Sequence, residues 1–233
     1  DYSNWNKKTT QLDAILADKK ILKPEESIDK IFYQIAKSFN LSLETLDLIL
    51  DPMVKTGQEA IGSMGDDTPL SVLTERYRGL HSFFKQNFSQ VTNPPIDSLR
   101  EQVVMSLKTR LGNLGNIAEE DSEQCNLVLL ESPVLLDNEI ETLKEHLGEY
   151  TSEIDCTFHI NDQTNFLNEI QRVCSEAEQA VRSGTQHLII SDKNIDKDRI
   201  ALPMILATSA VHSYLIKNNL RTFTSLNVSS FEC

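Results

Sequence analysis

An α/β fold, in which a parallel β-sheet flanked by helices follows a helical N-terminal part, is the class this sequence predicts. Three observations carry it. Segments of strand and helix character alternate as βαβαβ in the C-terminal half, and apolar residues recur at helical spacing in the N-terminal half. The composition, 39% hydrophobic and 24% charged over 233 residues, is that of a chain able to bury a core. The expected organisation is one domain over 1–233, helical to about residue 112 and α/β from about 113 to 233.

The first helix is expected over Glu25–Phe39, where Ile28, Ile31, Phe32, Ile35 and Phe39 share a face and Pro24 precedes the first turn. Ser42 is placed to cap a second helix carrying Leu43, Leu46 and Leu50, with Pro52 near its end. Leu73, Tyr77, Leu80, Phe84 and Phe88 line a third, as core rather than as a cofactor box. Thr56–Pro69, with three glycines and two adjacent aspartates, and Thr92-Asn93-Pro94-Pro95 read as loops with demanding backbones.

Asn113–Asp137 has room for a short strand at Leu127–Leu130 but reads as the link between the halves. Beyond it, Ile154–Ile160 is strand-like, and Phe166, Ile170, Val173, Cys174, Ala177 and Val181 form a helical stripe ending at Gly184. His187–Ile190 is a short apolar strand. Pro203 opens a helix bearing Leu206, Ala207, Ala210, Val211 and Leu215, and Thr222–Val228 returns as a strand. Parallel strands joined by right-handed crossovers follow from this order.

Charge and composition exclude several functions. A formal charge of −13, with no Lys/Arg cluster, argues against binding nucleic acid. The apolar runs are far shorter than the roughly 20 residues needed to span a bilayer. Cys125, Cys156, Cys174 and Cys233 show no metal-ligand spacing, so a reducing cytoplasm is expected, and the start at Asp1 reads as that of an excised fragment.

Candidate chemistry is sparse. Asp66 and Asp67 are adjacent, which suits turn formation ahead of Thr68-Pro69 better than joint service in one site, because consecutive side chains of an extended backbone point to opposite faces. His81, His146, His159, His187 and His212 form no HxxxH or HExxH pattern, and His212 is expected in a core or interface. Ser191-Asp192 ends a presumed parallel strand, where α/β folds place ligand contacts, yet Asp192 equally suits capping of the next turn. Gly62, Gly65, Gly112 and Gly115 build no GxGxxG or GxxxxGK motif. No catalytic set, cofactor site or metal site emerges.

The run Met64-Gly65-Asp66-Asp67-Thr68-Pro69-Leu70, then Phe84-Lys85-Gln86, Gln90-Val91-Thr92-Asn93-Pro94-Pro95-Ile96-Asp97 and Arg100-Glu101, resembles the central domain of the glutamate synthase large chain. A second block, Ile189–Asp192, Ile205–His212 and Leu220–Leu226, is similar to the same domain in the same order. The wording of VTNPPIDSLRE and LKTRLGNLGN looks most like bacterial NADPH-dependent forms. The resemblance implies a connecting domain between a glutamine amidotransferase domain and an FMN-binding synthase domain, walling an internal ammonia tunnel. The parent enzyme makes L-glutamate from L-glutamine and 2-oxoglutarate, with FMN, an iron–sulfur cluster and NADPH reached through a small subunit. None of those cofactors is expected in this fragment. Carried over by motif, Met64, Thr92 and Asn93 belong to the tunnel. Ser209 and Ser213 depart from the family's usual glycine and second histidine around Ala210-Val211-His212, so no specific role is carried over to His212. Two alternatives stand beside this reading: a free-standing α/β metal-dependent enzyme using Asp66, Asp67 or Asp192, and a non-catalytic small-molecule-binding scaffold.

Overall fold

The computed structural model describes residues 8–17, 35–39, 41–57, 73, 75, 79–84, 95–160 and 166–232. The chain forms two compact units, one of Asp1–Lys23 with Ile96–Ser230 and one of Pro24–Pro95 with Phe231–Cys233.

The first unit is α/β. Strands β1 (Thr10–Gln11), β2 (Thr109–Leu111) and β3 (Val128–Leu130) form a small mixed sheet in the order β1-β3-β2, with β1 parallel and β2 antiparallel to β3. Helix α1 (Leu12–Ala17) seals it through Leu12 and Ile15, which join Leu111, Val128, Leu130 and Leu143 in one core. Asn113–Asp137 is therefore more than a link. It supplies the central strand of this sheet, and β1 and β2 stand in the stretch expected to be helical. Strands of two and three residues carry too few positions to show a period.

The second sheet is the expected parallel one: β4 (Thr151–Asp155), β6 (His187–Ser191) and β8 (Ser225–Ser229), in the order β4-β6-β8. Helix α6 (Phe166–Arg182) connects β4 to β6, and α7 (Met204–Lys217) connects β6 to β8. The two helices pack on each other, as they must if successive crossovers of one hand step across a sheet in one direction. Val173, Cys174, Ala177 and Val181 of α6 meet Ala207, Val211 and Leu215 of α7 over Ile154, Leu188 and Ile190. Tyr214 Oη donates to Glu178 Oε2 at 2.7 Å, tying the helices together at their rim. Every residue of β6 is buried, the mark of a central parallel strand covered on both faces. Gly184, at φ +101°, lets the chain turn off α6 as expected.

The strand foreseen over Ile154–Ile160 is instead two. The Asp155 carboxylate takes the Thr157 N–H at 2.8 Å, and this local bond turns the chain at Cys156. Beyond the corner β5 (Thr157–His159) leaves the parallel sheet and pairs antiparallel with β7 (Arg199–Ala201). Helix α5 (Asp137–Leu147) adds Ile140 and Leu143 to the interior.

In the second unit, residues 35–38 are helical and the Phe39 ring lies 5.8 Å from that of Phe231. The remainder of the expected 25–39 helix lies outside the described residues. Ser42 caps as foreseen: its Oγ accepts from the Thr45 N–H at 3.2 Å while Thr45 Oγ1 faces the Ser42 N–H. Helix α2 (Leu43–Thr45) runs through a π turn at Leu46–Leu50 into α3 (Asp51–Thr56), which closes at Gly57 with φ +64°. Pro52 thus does not end the helix. The Asp51 N–H reaches back to Leu46 O, and this wider turn admits a residue without a backbone donor. Among the described residues the expected third helix is not continuous, and Tyr77 and Phe88 lie outside them. Residues 73 and 75 are a turn and a bend, and Leu80–Phe83 is a 3₁₀ turn. Leu73 is 93% and Phe84 69% exposed, so these two members of the stripe are not covered, and a helix lacking such packing is marginal in water. One more short helix, α4 (Glu101–Val104), follows in the first unit.

Candidate functional site

The C-terminal edge of the parallel sheet is where an α/β fold of this kind gathers polar side chains. Asp155 ends β4. Its Oδ1 accepts from the Thr157 N–H (2.8 Å) and Thr157 Oγ1 (2.7 Å), and its Oδ2 accepts from Asn194 Nδ2 (3.0 Å) and Arg199 Nη2 (2.8 Å). Arg199, on β7, also donates from Nε to Thr157 Oγ1 at 2.8 Å. Arg172, in the second turn of α6, donates from Nη2 to Asp155 O (3.0 Å) and is flanked by Glu169 (2.8 Å) and Glu176 (3.0 Å). Burial opposes ionisation of Asp155, but the bonds from Asn194 and Thr157 and the charge of Arg199 outweigh it and hold the carboxyl below the usual range. A carboxylate that accepts four hydrogen bonds from its own scaffold is a fastener. It locks the β4–β5 corner to β7, while the Asp155 main-chain carbonyl ties the same corner to α6 through Arg172.

Ser191 and Asp192, at the end of β6, belong to the same edge. Asp192 is fully buried; its N–H donates to Ser229 O at 3.3 Å and its Oδ2 accepts from Ser230 Oγ at 2.8 Å. Its carbonyl receives the Ile195 N–H at 3.2 Å, which closes the next turn through the main chain and not through the Asp192 side chain's bond to Ser230. Cys156, between β4 and β5, has its thiol pushed up to about 12 by burial, which keeps it protonated and unreactive near neutral pH. Cys174 is likewise raised by burial. No group of three or more metal-ligating side chains occurs among the described residues, and none of their helices is long and apolar enough to cross a membrane.

His212 is exposed rather than in the core, and its Nδ1 accepts from Arg221 Nε at 3.0 Å. The same guanidinium donates from Nη1 to Thr224 O at 2.8 Å and meets no carboxylate among the described residues. Burial pulls its pKa down. Arg221 lines a groove of about 380 Å³ together with Thr109, Arg110, Leu111, Ser225 and Leu226. Neither arginine was singled out in the sequence. The signal is the absence of acids: no Asp or Glu stands between Glu101 and Glu119, or between Asp198 and Glu232, in a chain carrying 35 of them. Met64, Asp66, Asp67, Thr92 and Asn93 lie outside the described residues.

Comparison with known proteins gives the family. The glutamate synthase central domain family matches residues 34–233. The chain is 50% identical, over 99% of its length, to the NADPH glutamate synthase large chain of Azospirillum brasilense, of which it covers 15%. It is 36% identical over its whole length to the NADH glutamate synthase of Saccharomyces cerevisiae, covering 11% of that protein, and 38% identical over 84% of its length to the chloroplastic ferredoxin-dependent glutamate synthase of Spinacia oleracea, covering 12%. Relatives with three different electron donors in their names share this segment, and in each it is a small part of a far longer chain. A polar sheet edge closed on its own scaffold, an α/β core and these matches agree: the chain belongs to the glutamate synthase central domain family.

Proposed function

We infer that this chain is the connecting domain of a glutamate synthase large chain, holding a glutamine amidotransferase domain against an FMN-binding synthase domain and walling the path that ammonia takes between them. The observation that carries the reading is the family match over 34–233, joined to 50% identity with a large chain of which this segment is 15%. The sheet edge supports it: the Asp155, Arg172 and Arg199 groups bind one another, as suits a rigid spacer. The parent would form L-glutamate from L-glutamine and 2-oxoglutarate in the cytoplasm, an oxidoreductase using FMN, an iron–sulfur cluster and NADPH delivered through a small subunit. This segment would contribute no ligand to them.

Met64, Thr92 and Asn93 are the tunnel residues of this reading. A conduit for a small neutral molecule needs a narrow, modestly polar wall, to which Thr92 brings a compact hydroxyl and Met64 a flexible apolar side chain. Replacing Thr92 by Leu or Met64 by Trp in the complete enzyme should leave glutamine hydrolysis in place while glutamate formation falls. The measurement is the ratio of glutamine hydrolysed to glutamate made. A ratio that stays at the wild-type value in both folded variants removes these residues from the tunnel.

A further inference from the structure

Two of the three sheets described in the first unit each leave an edge strand unpaired among the described residues, and these two edges line one groove. Strand β2 is the outer strand of the small sheet and β8 that of the parallel sheet. The Thr10 N–H donates to Leu127 O, so alternate residues of β3, Leu127 and Leu129, face β1 with their main-chain groups, and Val128 and Leu130 face β2. Their partners Leu111 and Thr109 are thus the bonded pairs, and Arg110 turns its N–H and C=O away from the sheet. On β8 the Ser225 N–H donates to Gln186 O and Ser229 O accepts from Asp192, which leaves Leu226 and Val228 facing outward in the same way. Among the described residues the main chains of Arg110 and Leu226 have no hydrogen-bond partner on that side, and both residues line the groove of about 380 Å³.

The base of the groove is fixed. Gly112 N–H donates to Ser225 Oγ at 2.7 Å, Ser225 Oγ donates back to Gly112 O at 3.1 Å, and Leu114 N–H reaches Thr222 O at 2.9 Å. Leu111, Leu127 and Leu226 supply apolar wall, and the guanidiniums of Arg110 and Arg221 meet no carboxylate among the described residues. Apart from Leu127, the residues that line the groove come from two stretches that hold no Asp or Glu in an otherwise acidic chain. An open strand edge with unpaired main-chain groups is a template for another strand, and natural proteins rarely leave one uncovered.

We propose that an extended segment carrying an acidic side chain, supplied by polypeptide outside these 233 residues, enters this groove as an added strand. It takes main-chain hydrogen bonds from Arg110 and Leu226 and places its carboxylate on Arg221 and Arg110. Charge complementarity selects the acid, and the source follows from length, since the chain covers 15% of a relative that carries the rest in the same polypeptide. The proposal rests on the connecting-domain reading and gives one of its joints a physical form.

Hydrogen exchange read by mass spectrometry in the complete polypeptide tests it. The amides of Arg110 and Leu226 should exchange at least ~10-fold more slowly than unprotected amides. In the double variant Arg110→Gln and Arg221→Gln they should speed up by at least ~10-fold, while Ile189 and Ile190 in the core stay unchanged. Leu226→Pro, tolerated on an edge strand because its N–H faces away from β6, should also release the Arg110 amide. Unprotected amides in the wild type, or protection that survives all the variants, overturns the proposal. Protection that grows with protein concentration also overturns it, by assigning the groove to a second copy. The connecting-domain reading is judged separately, by the ratio of glutamine hydrolysed to glutamate made.

Discussion

His187 begins β6 and is 4% exposed, with its Nδ1 and the hydroxyl of Thr151, its register partner on β4, both buried and without a hydrogen-bond partner among the described residues. Burial lowers its pKa from 6.5 to about 4. Because the folded value lies below the unfolded one, the unfolded chain binds the extra proton first as pH falls. His187 therefore costs nothing above about pH 6.5, and stability is lost progressively from there down to about pH 4. Between pH 7 and pH 5 this one group should remove about 2 kcal/mol. Replacing His187 with Leu should flatten that slope, and urea unfolding at the two pH values measures it. Equal slopes in the two proteins would show that the imidazole is solvated in the native state.

At the scale of elements, Gly112 and Ser225 stitch β2 to β8. A Cβ on Gly112 would lie 2.4 Å from Leu127 Cδ2 and 3.2 Å from Asn126 O, at a φ of +153°. Gly112→Ala should cost about 1–3 kcal/mol through this crowding and strain. Ser225→Ala should cost about 1 kcal/mol for the lost hydroxyl bonds. The two should not add, since either change opens the same stitch, and a double-mutant cycle from chemical denaturation gives the coupling. Simple additivity would mean that the stitch carries no shared energy. Long elements such as α6 and α7 were legible in the sequence because four or five turns repeat the apolar stripe. The βαβαβ order fixed the parallel sheet for the same reason. The corner at Asp155 was not legible, since it depends on one carboxylate taking the Thr157 N–H within an unbroken run of strand formers. Nor were β1 and β2, which owe their existence to β3 lying between them. Among single residues, Asp192 was visible by its place after a strand, whereas Arg221 was hidden because its meaning lies in the carboxylates missing around it.

Across the whole molecule two tendencies oppose each other. The formal charge of −13 keeps copies apart, and that repulsion is screened over about 10 Å at 0.1 M salt. Against it stand apolar side chains that this chain does not cover. Leu99 is 92% and Val103 79% exposed around α4, with Val104, Met105 and Leu107 beside them. Exposed apolar surface of this kind marks a face made for a neighbour, and interfaces between domains of one chain commonly bury about 600–1,500 Å². With the neighbours removed, the 233-residue chain should associate weakly, and more strongly as salt weakens the repulsion between copies. Sedimentation velocity at low and at high sodium chloride measures this as a rise in average sedimentation coefficient with both salt and protein concentration. Leu99→Glu with Val103→Lys should abolish the rise by making the same face polar without changing net charge. A strict monomer at every salt concentration would show that the apolar side chains around α4 form no continuous face, and the case for a docked neighbour there would fail.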